Sequence, residues 1–169
     1  GQRAAWPPKP QQEHPVRRSI RCAGRSPGLR MTGIFPDGHP TFHVTQDGKK
    51  LDWYSYSGYR RYHAECHVCH GPDGEGSTYA PALKDSVVNK IDYYEFQQIV
   101  ASGKQNVGTG QANQVMPAFG TNRNVWCYVD DIYTYLLAHG TGAIPRGRPA
   151  LKAKKSDEFA AQEESCMSG

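Results

Sequence analysis

The sequence predicts an all-α domain of three to five helices, with extended amino- and carboxy-terminal tails. Three patterns carry this reading. Between Asn124 and His139 the apolar residues Val125, Val129, Ile132, Tyr133, Leu136 and Leu137 recur at the helical period, and Asp130, Asp131 and Thr134 fall on the opposite side. Tyr93, Phe96, Ile99 and Val100 recur in the same way between Asp92 and Ser102. Gly58, Tyr62 and Cys66 stand four apart, which places them on one helical face. No strand signal of comparable quality accompanies them.

Taken in order, the first helix ends in Cys66. Its Gly58 permits close approach of another helix, and Tyr62 packs one turn later. The middle helix has Gly103 as its stop. Asn122 or Asn124 can cap the last helix, and Gly140 can end it with a left-handed residue. The first and last helices are therefore expected to cross.

The tails follow from composition. Seven of the twelve prolines precede residue 45, in a stretch with neither helical nor alternating periodicity to oppose their chain-breaking effect. Residues 1–45 are expected to form an extended or disordered arm, residues 46–145 the folded domain, and residues 146–169 a tail. A total of 169 residues suits one domain.

No apolar run approaches the roughly 20 residues that cross a bilayer, so no membrane span is expected. The chain begins at Gly1 without a signal-peptide core and reads as a mature, soluble product. Its formal charge of +4 is segregated: Lys and Arg outnumber Asp and Glu 10 to 4 in residues 1–60, fall to 5 against 8 in residues 61–145, and stand at 5 against 4 beyond. A nucleic-acid-binding domain would carry its basic residues on the folded part, with aromatics interleaved. Here they sit mainly on the arm, and nucleic acid is not an expected partner.

Of the five cysteines, 22, 66, 69, 127 and 166, only one pair has a diagnostic spacing. Cys66-His67-Val68-Cys69-His70 is the pattern in which two thiols form thioethers to the vinyl groups of a haem and the next imidazole binds the iron. The vinyls lie on one side of the macrocycle, so the turn delivers His70 beneath the metal. A zinc knuckle would need a second close pair of ligands, and a redox dithiol would expect a βαβ context. Neither is present. His67 is expected to point away, and the histidines at 14, 39, 43, 63 and 139 to be surface residues. One covalent haem c is therefore expected, with Cys66, Cys69 and His70 as its attachment and axial residues. No second such motif exists in the chain, and the aspartates near His70 read as surface charge.

Haem attachment of this kind takes place outside the cytoplasm, which implies a periplasmic location and an oxidising environment for Cys22, Cys127 and Cys166. One disulfide and one spare thiol is the simplest arithmetic. Cys127 lies about 200° around the helix from Val129, where a tail can reach it, and Cys127 with Cys166 is the preferred pair. Cys22 with either of the others is the competitor.

With the glycine, the aromatic and the haem cysteine at their four-residue spacing, residues 53–142 resemble the class I cytochrome c family. The resemblance implies a helical fold around one haem. It implies that Pro81, in Tyr79-Ala80-Pro81-Ala82-Leu83, offers its carbonyl to Nδ1 of His70 and leaves Nε2 for iron. It also implies that Met116, in Val115-Met116-Pro117-Ala118-Phe119-Gly120, is the sixth ligand. Met31 lies in the irregular arm and Met167 near the end, and the competing role for Met116 is gap filling in a core. A Met-filled site favours electron transfer over gas binding or peroxide chemistry, so an electron carrier rather than an enzyme is expected.

A narrower resemblance comes from Asp52-Trp53, from Tyr59-Arg60-Arg61-Tyr62-His63-Ala64-Glu65 running into the haem motif and Gly71-Pro72-Asp73-Gly74, and from Asn124-Val125-Trp126-Cys127-Tyr128 with the late Cys166. These segments look like the methanol-metabolism-related c-type cytochromes. That likeness implies electrons received from a pyrroloquinoline quinone (PQQ)-dependent methanol dehydrogenase, notably of the lanthanide type, and passed to a small cytochrome c or an oxidase. The group's four cysteines correspond to Cys66, Cys69, Cys127 and Cys166. Cys22 departs from its pattern. A general periplasmic electron shuttle is the alternative.

Overall fold

A computed structural model describes residues 33–34, 39–106 and 114–168. Cys22 and most of the arm lie outside these residues. Short strands β1 (Gly33–Ile34) and β2 (Pro40–Thr41) pair antiparallel, as do β3 (Val44–Thr45) and β4 (Lys50–Leu51). Helix α1 runs Trp53–Glu65, followed by the short α2 (His67–His70) and a 3-10 turn at Pro72–Gly74. Helix α3 (Leu83–Asp85) continues as a π-helical turn over Ser86–Lys90, and α4 spans Tyr93–Ser102. The hairpin β5 (Lys104–Asn106) and β6 (Gln114–Met116) leads to α5 (Arg123–Trp126) and α6 (Val129–Gly140). Strand β7 (Leu151–Lys152) then pairs parallel with β4, and α7 covers Asp157–Ser168.

The predicted helices form, with local reasons for their ends. Asp52 caps α1 by accepting the Ser55 amide at 3.1 Å, and Asp92 caps α4 by accepting the Glu95 amide at 2.7 Å. Gly103, at φ 75°, stops α4. Asn122 accepts the Asn124 amide at 3.0 Å and so caps α5. The strands are two or three residues long, too short to leave an alternating pattern in the sequence.

Helices α1 and α6 cross with backbone against backbone. A Cβ built on Gly58 would lie 1.9 Å from the carbonyl oxygen of Asp131, so no larger residue fits at this distance. The Ser57 hydroxyl donates to the Asp131 carboxylate at 2.8 Å, and Thr134 Oγ1 donates to the Asp131 carbonyl at 2.9 Å. Around the crossing lie the fully buried Tyr62, Val87, Tyr135 and Leu136, with Phe42 and Leu51 from the strand segment.

Three expectations need correction. The predicted helix from Asn124 to His139 is broken at Tyr128, whose φ of −123° and ψ of 14° separate α5 from α6. Its supposed polar face is not solvated: Asp131 and Thr134 are fully buried because Ser57 and their own turn satisfy them. Gly140 is helical rather than left-handed. Its missing side chain makes room for the Lys84 carbonyl, which would sit 2.2 Å from an added Cβ.

The edges of the domain also extend further than expected. Thr41, Phe42 and Val44 are buried, so the packed core begins before residue 46. Beyond residue 145 the chain forms β7 and α7 rather than an extended tail. Phe159 sits edge-on to Trp53 and Tyr54, at centroid distances of 6.0 and 5.0 Å. Tyr128 donates to Glu163 at 2.6 Å, and Cys127 is disulfide-bonded to Cys166. Burial and the Glu163 bond push the Tyr128 hydroxyl up to about 12, so it stays a donor. The sequence pattern missed α7 because its single buried residue, Phe159, leaves no apolar stripe. Cys127 is itself buried, since the break at Tyr128 removes the helical-wheel geometry that placed it on an outer face.

Gly58→Ala should lower the unfolding free energy of the haem-loaded protein by about 3 kcal/mol in urea titrations, because overpacking here must separate two backbones. Replacing Cys127 and Cys166 together with serine should cost about 3 to 4 kcal/mol for a closed loop of this size, read the same way.

Candidate haem site

Helix α1 carries Tyr62 and Cys66 on the face that Gly58 presses onto α6. The Cys66 amide still bonds to the Tyr62 carbonyl at 2.8 Å, so the helix hands the chain directly into the motif. The His70 amide bonds back to the Cys66 carbonyl at 3.0 Å, which makes the motif one further turn. It ends at Gly71, whose φ of 77° lets the chain leave sharply. Neither Cys66 nor Cys69 is taken up in a disulfide.

His70 is buried, whereas His67 beside it is exposed. Nδ1 of His70 lies 3.0 Å from the Pro81 carbonyl oxygen, which only accepts, so Nδ1 carries the proton and Nε2 keeps its lone pair. Burial also lowers the pKa of His70, which favours the neutral imidazole a metal requires. The donor set therefore fits a covalently attached haem: two cysteines outside any disulfide, and one buried imidazole in the ligating tautomer.

Met116 occupies the end of β6, where it pairs with Lys104 and packs, half-buried, against the main core. The segment after it is tied to α4, with the Phe119 amide on Val100 at 2.8 Å and the Gly120 amide on Ala101 at 3.1 Å. Tyr79, two residues before Pro81, reaches the strand from the other side. Its hydroxyl accepts the Val115 amide at 3.2 Å and donates to the Val115 carbonyl at 3.4 Å. The segment carrying Pro81 and the strand carrying Met116 are thus joined through Tyr79.

Asp73 was expected to be surface charge, and its burial overturns that. It is 5% exposed, at φ 57°, within a run where Gly71, Gly74 and Gly76 also have positive φ. Tyr135 donates to one carboxylate oxygen at 2.9 Å, and the Gly147 amide donates to the other at 3.1 Å. Arg146 approaches that second oxygen at 3.4 Å and Glu75 at 3.3 Å, while Lys84 pairs with Glu75 at 2.5 Å.

His63 completes the ring. Its Nδ1 donates to the Tyr59 carbonyl at 2.8 Å, so Nε2 is the acceptor for the Asp73 amide at 3.1 Å. In this tautomer His63 is neutral and its proximity to the Asp73 carboxylate is not an ion pair. His139 departs from the surface expectation too: it is buried and stacked on Tyr135. Tyr62 donates to the Gly71 carbonyl at 2.5 Å, and burial raises the pKa of its hydroxyl, as it does that of Tyr135. The available signal for Asp73 was Gly-Pro-Asp-Gly, a turn in which aspartate tolerates the left-handed conformation.

A family model described as cytochrome c matches residues 56–140. The chain belongs to the cytochrome c family. Cytochrome c-553I of Paracoccus denitrificans is 68% identical over 130 residues, which are 77% of this chain and 56% of that protein. The chain thus spans little more than half the length of that relative. Cytochrome c-555 of Methylococcus capsulatus is 33% identical over 98 residues, 57% of this chain and 72% of that one. The crystal structure of the c-type cytochrome XoxG from Methylobacterium extorquens AM1 is similar with a TM-score of 0.76 and 52% identity, covering 91% of this chain and 90% of that one. As a cytochrome c the chain carries covalent haem c, and the family and the relatives it matches are electron-transfer proteins. Among the described residues no helix is long and apolar enough to cross a membrane.

Burial opposes ionisation of Asp73, but the Tyr135 and Gly147 bonds outweigh it and hold the carboxyl below its usual value. With a folded pKa below the unfolded one, this contribution is complete above the unfolded value of about 3.9 and is lost as pH falls through the folded value. Asp73→Ala should therefore cost about 3 kcal/mol at pH 7. Urea titrations of both proteins at pH 7 and pH 3 should show that difference shrinking in acid.

Proposed function

We propose that this cytochrome is a periplasmic one-electron carrier in which His70 and Met116 would hold the haem iron. Its donor is a PQQ-dependent methanol (alcohol) dehydrogenase, and its acceptor a small cytochrome c or oxidase. The observation that carries the ligand assignment is the Pro81 carbonyl on His70 Nδ1, which leaves Nε2 for iron. Met116 is the described methionine anchored beside that segment, through Tyr79 and Val115. The donor assignment is supported by the methanol-metabolism-related pattern, including the joined Cys127 and Cys166, and by the similarity to XoxG over nine-tenths of both chains.

When bound, the haem supplies a reversible one-electron couple. The residues determine how that couple behaves. The Pro81 bond makes His70 a more basic ligand and fixes its ring. A thioether is a weak donor that favours ferrous iron, so Met116 raises the potential above that of a bis-histidine site. Val68, 89% exposed between the two cysteines, joins Tyr79 and Val115 as exposed apolar surface near the motif. A face of this kind suits brief encounters, and redox interfaces commonly bury less than about 1,200 Å².

Two measurements test the reading. The oxidised protein should show the weak sulfur-to-iron band near ~700 nm, and Met116→Ala should abolish it. In stopped flow, purified methanol dehydrogenase with methanol should reduce the wild type faster than an unrelated periplasmic donor does across a salt series. Equal rates would leave the general shuttle.

A further inference from the structure

The charge count leaves a feature that the haem site does not use. From Ala143 to Ser156 the sequence holds Arg146, Arg148, Lys152, Lys154 and Lys155 and no acidic residue. The structure lays this segment along α1. Arg146 begins it at the loop after the haem motif, against Asp73 and Glu75. Arg148 follows beside Tyr56 and Tyr59, and Lys152 lies over the Tyr56 ring at 4.4 Å with its ammonium 3.4 Å from the Tyr56 hydroxyl.

Strand β7 then sets the segment beside β4, where the Leu151 amide bonds to the Lys49 carbonyl and brings Lys49 and Lys50 alongside. Lys155 is committed to Glu163 at 2.6 Å. Lys49, Lys50, Arg148, Lys152 and Lys154 enter no salt bridge among the described residues. The acids on this flank are few between Lys49 and Lys154: Asp73 is buried, Glu75 and Glu163 are paired, Asp47 stands in the β3–β4 turn, and the exposed Asp157 and Glu158 open α7 beyond the far end of the strip. Burial opposes ionisation of Tyr56, yet Lys152 and Arg148 together hold its hydroxyl below the usual tyrosine value. The same two cations thus converge on one hydroxyl at the edge of the core.

We propose that this basic strip is the docking surface for an acidic face of a redox partner protein. It rests on the carrier reading above. One end of the strip is the Arg146 contact with the loop that follows His70, so a partner lying along it reaches the haem motif. Residues 61–145 carry an acidic excess, and without the strip they would repel an acidic partner. Uncompensated cations in a row accelerate encounter and orient it, and their effect fades within about 10 Å at 0.1 M salt. A membrane surface exchanges no electrons, which favours a protein as the occupant.

Arg148→Glu combined with Lys154→Glu tests this in the haem-loaded protein, because both side chains are exposed and neither is a proposed ligand. Unchanged reduction potential and ~700 nm absorption would establish that the site itself is intact. Polyglutamate is the probe that does not depend on the donor's identity. At low ionic strength the wild type should bind it roughly tenfold more tightly than the variant, and the difference should vanish in high salt. Equal binding overturns the proposal. So does wild-type binding to phosphatidylglycerol vesicles that exceeds its binding to polyglutamate, since that assigns the strip to lipid. With methanol dehydrogenase as reductant, the second-order rate should fall by roughly the same factor in the variant. Loss of polyglutamate binding with an unchanged dehydrogenase rate keeps the strip as an acidic-protein surface and removes that dehydrogenase as its partner.

Discussion

The contact of Gly58 with the Asp131 carbonyl sets the distance between α1 and α6, and the haem motif hangs from the end of α1. With the two backbones this close, Ser57 reaches the Asp131 carboxylate, and Tyr62 and Tyr135 meet at a centroid distance of 5.7 Å. Those two tyrosines then reach opposite parts of one loop, Tyr62 to Gly71 and Tyr135 to Asp73. A side chain at residue 58 would change more than local packing. It would move the donors that hold the loop following His70.

The loop from Gly71 to Gly76 has little regular structure of its own, so it borrows its shape. Gly71, Asp73, Gly74 and Gly76 all have positive φ, a conformation that short loops maintain only when surrounding groups over-determine it. Asp73 supplies that over-determination through α1, α6 and the segment after residue 145, by way of His63, Tyr135 and Gly147. A buried carboxylate is costly unless its lone pairs are satisfied, and here protein donors reach both oxygens. The part of the chain expected to be a loose tail thus contributes directly to the haem side of the molecule.

Legibility in the sequence followed the range of the interaction. Helices α1 and α4, the caps at Asn122 and Gly103, and the attachment motif depend on residues a few positions apart, and each could be read from spacing. The break at Tyr128, the burial of Asp131, the buried His139 and the contacts of Asp73 depend on partners far along the chain, up to 74 residues away for Ser57 with Asp131 and for Gly147 with Asp73. A helical wheel places Asp131 in water because it counts only its own helix. The Pro81 contact was legible only through family resemblance, since nothing local marks a proline carbonyl as the partner of an imidazole eleven residues earlier.

These constraints suit electron exchange for a physical reason. A carrier changes charge at every turnover, and any group that must reorient with that change raises the barrier to transfer. Dipoles already fixed in place avoid this cost. The Pro81 carbonyl is fixed toward His70, the Tyr62 hydroxyl is bound to Gly71, and the strand bearing Met116 is bound through Tyr79 and α4. Cationic side chains on the strip are treated differently, being long, exposed and largely unpaired. Rigidity is thus concentrated around His70 and Met116 and freedom along the strip, which would let one partner leave and the next be captured without moving the residues proposed to hold the iron.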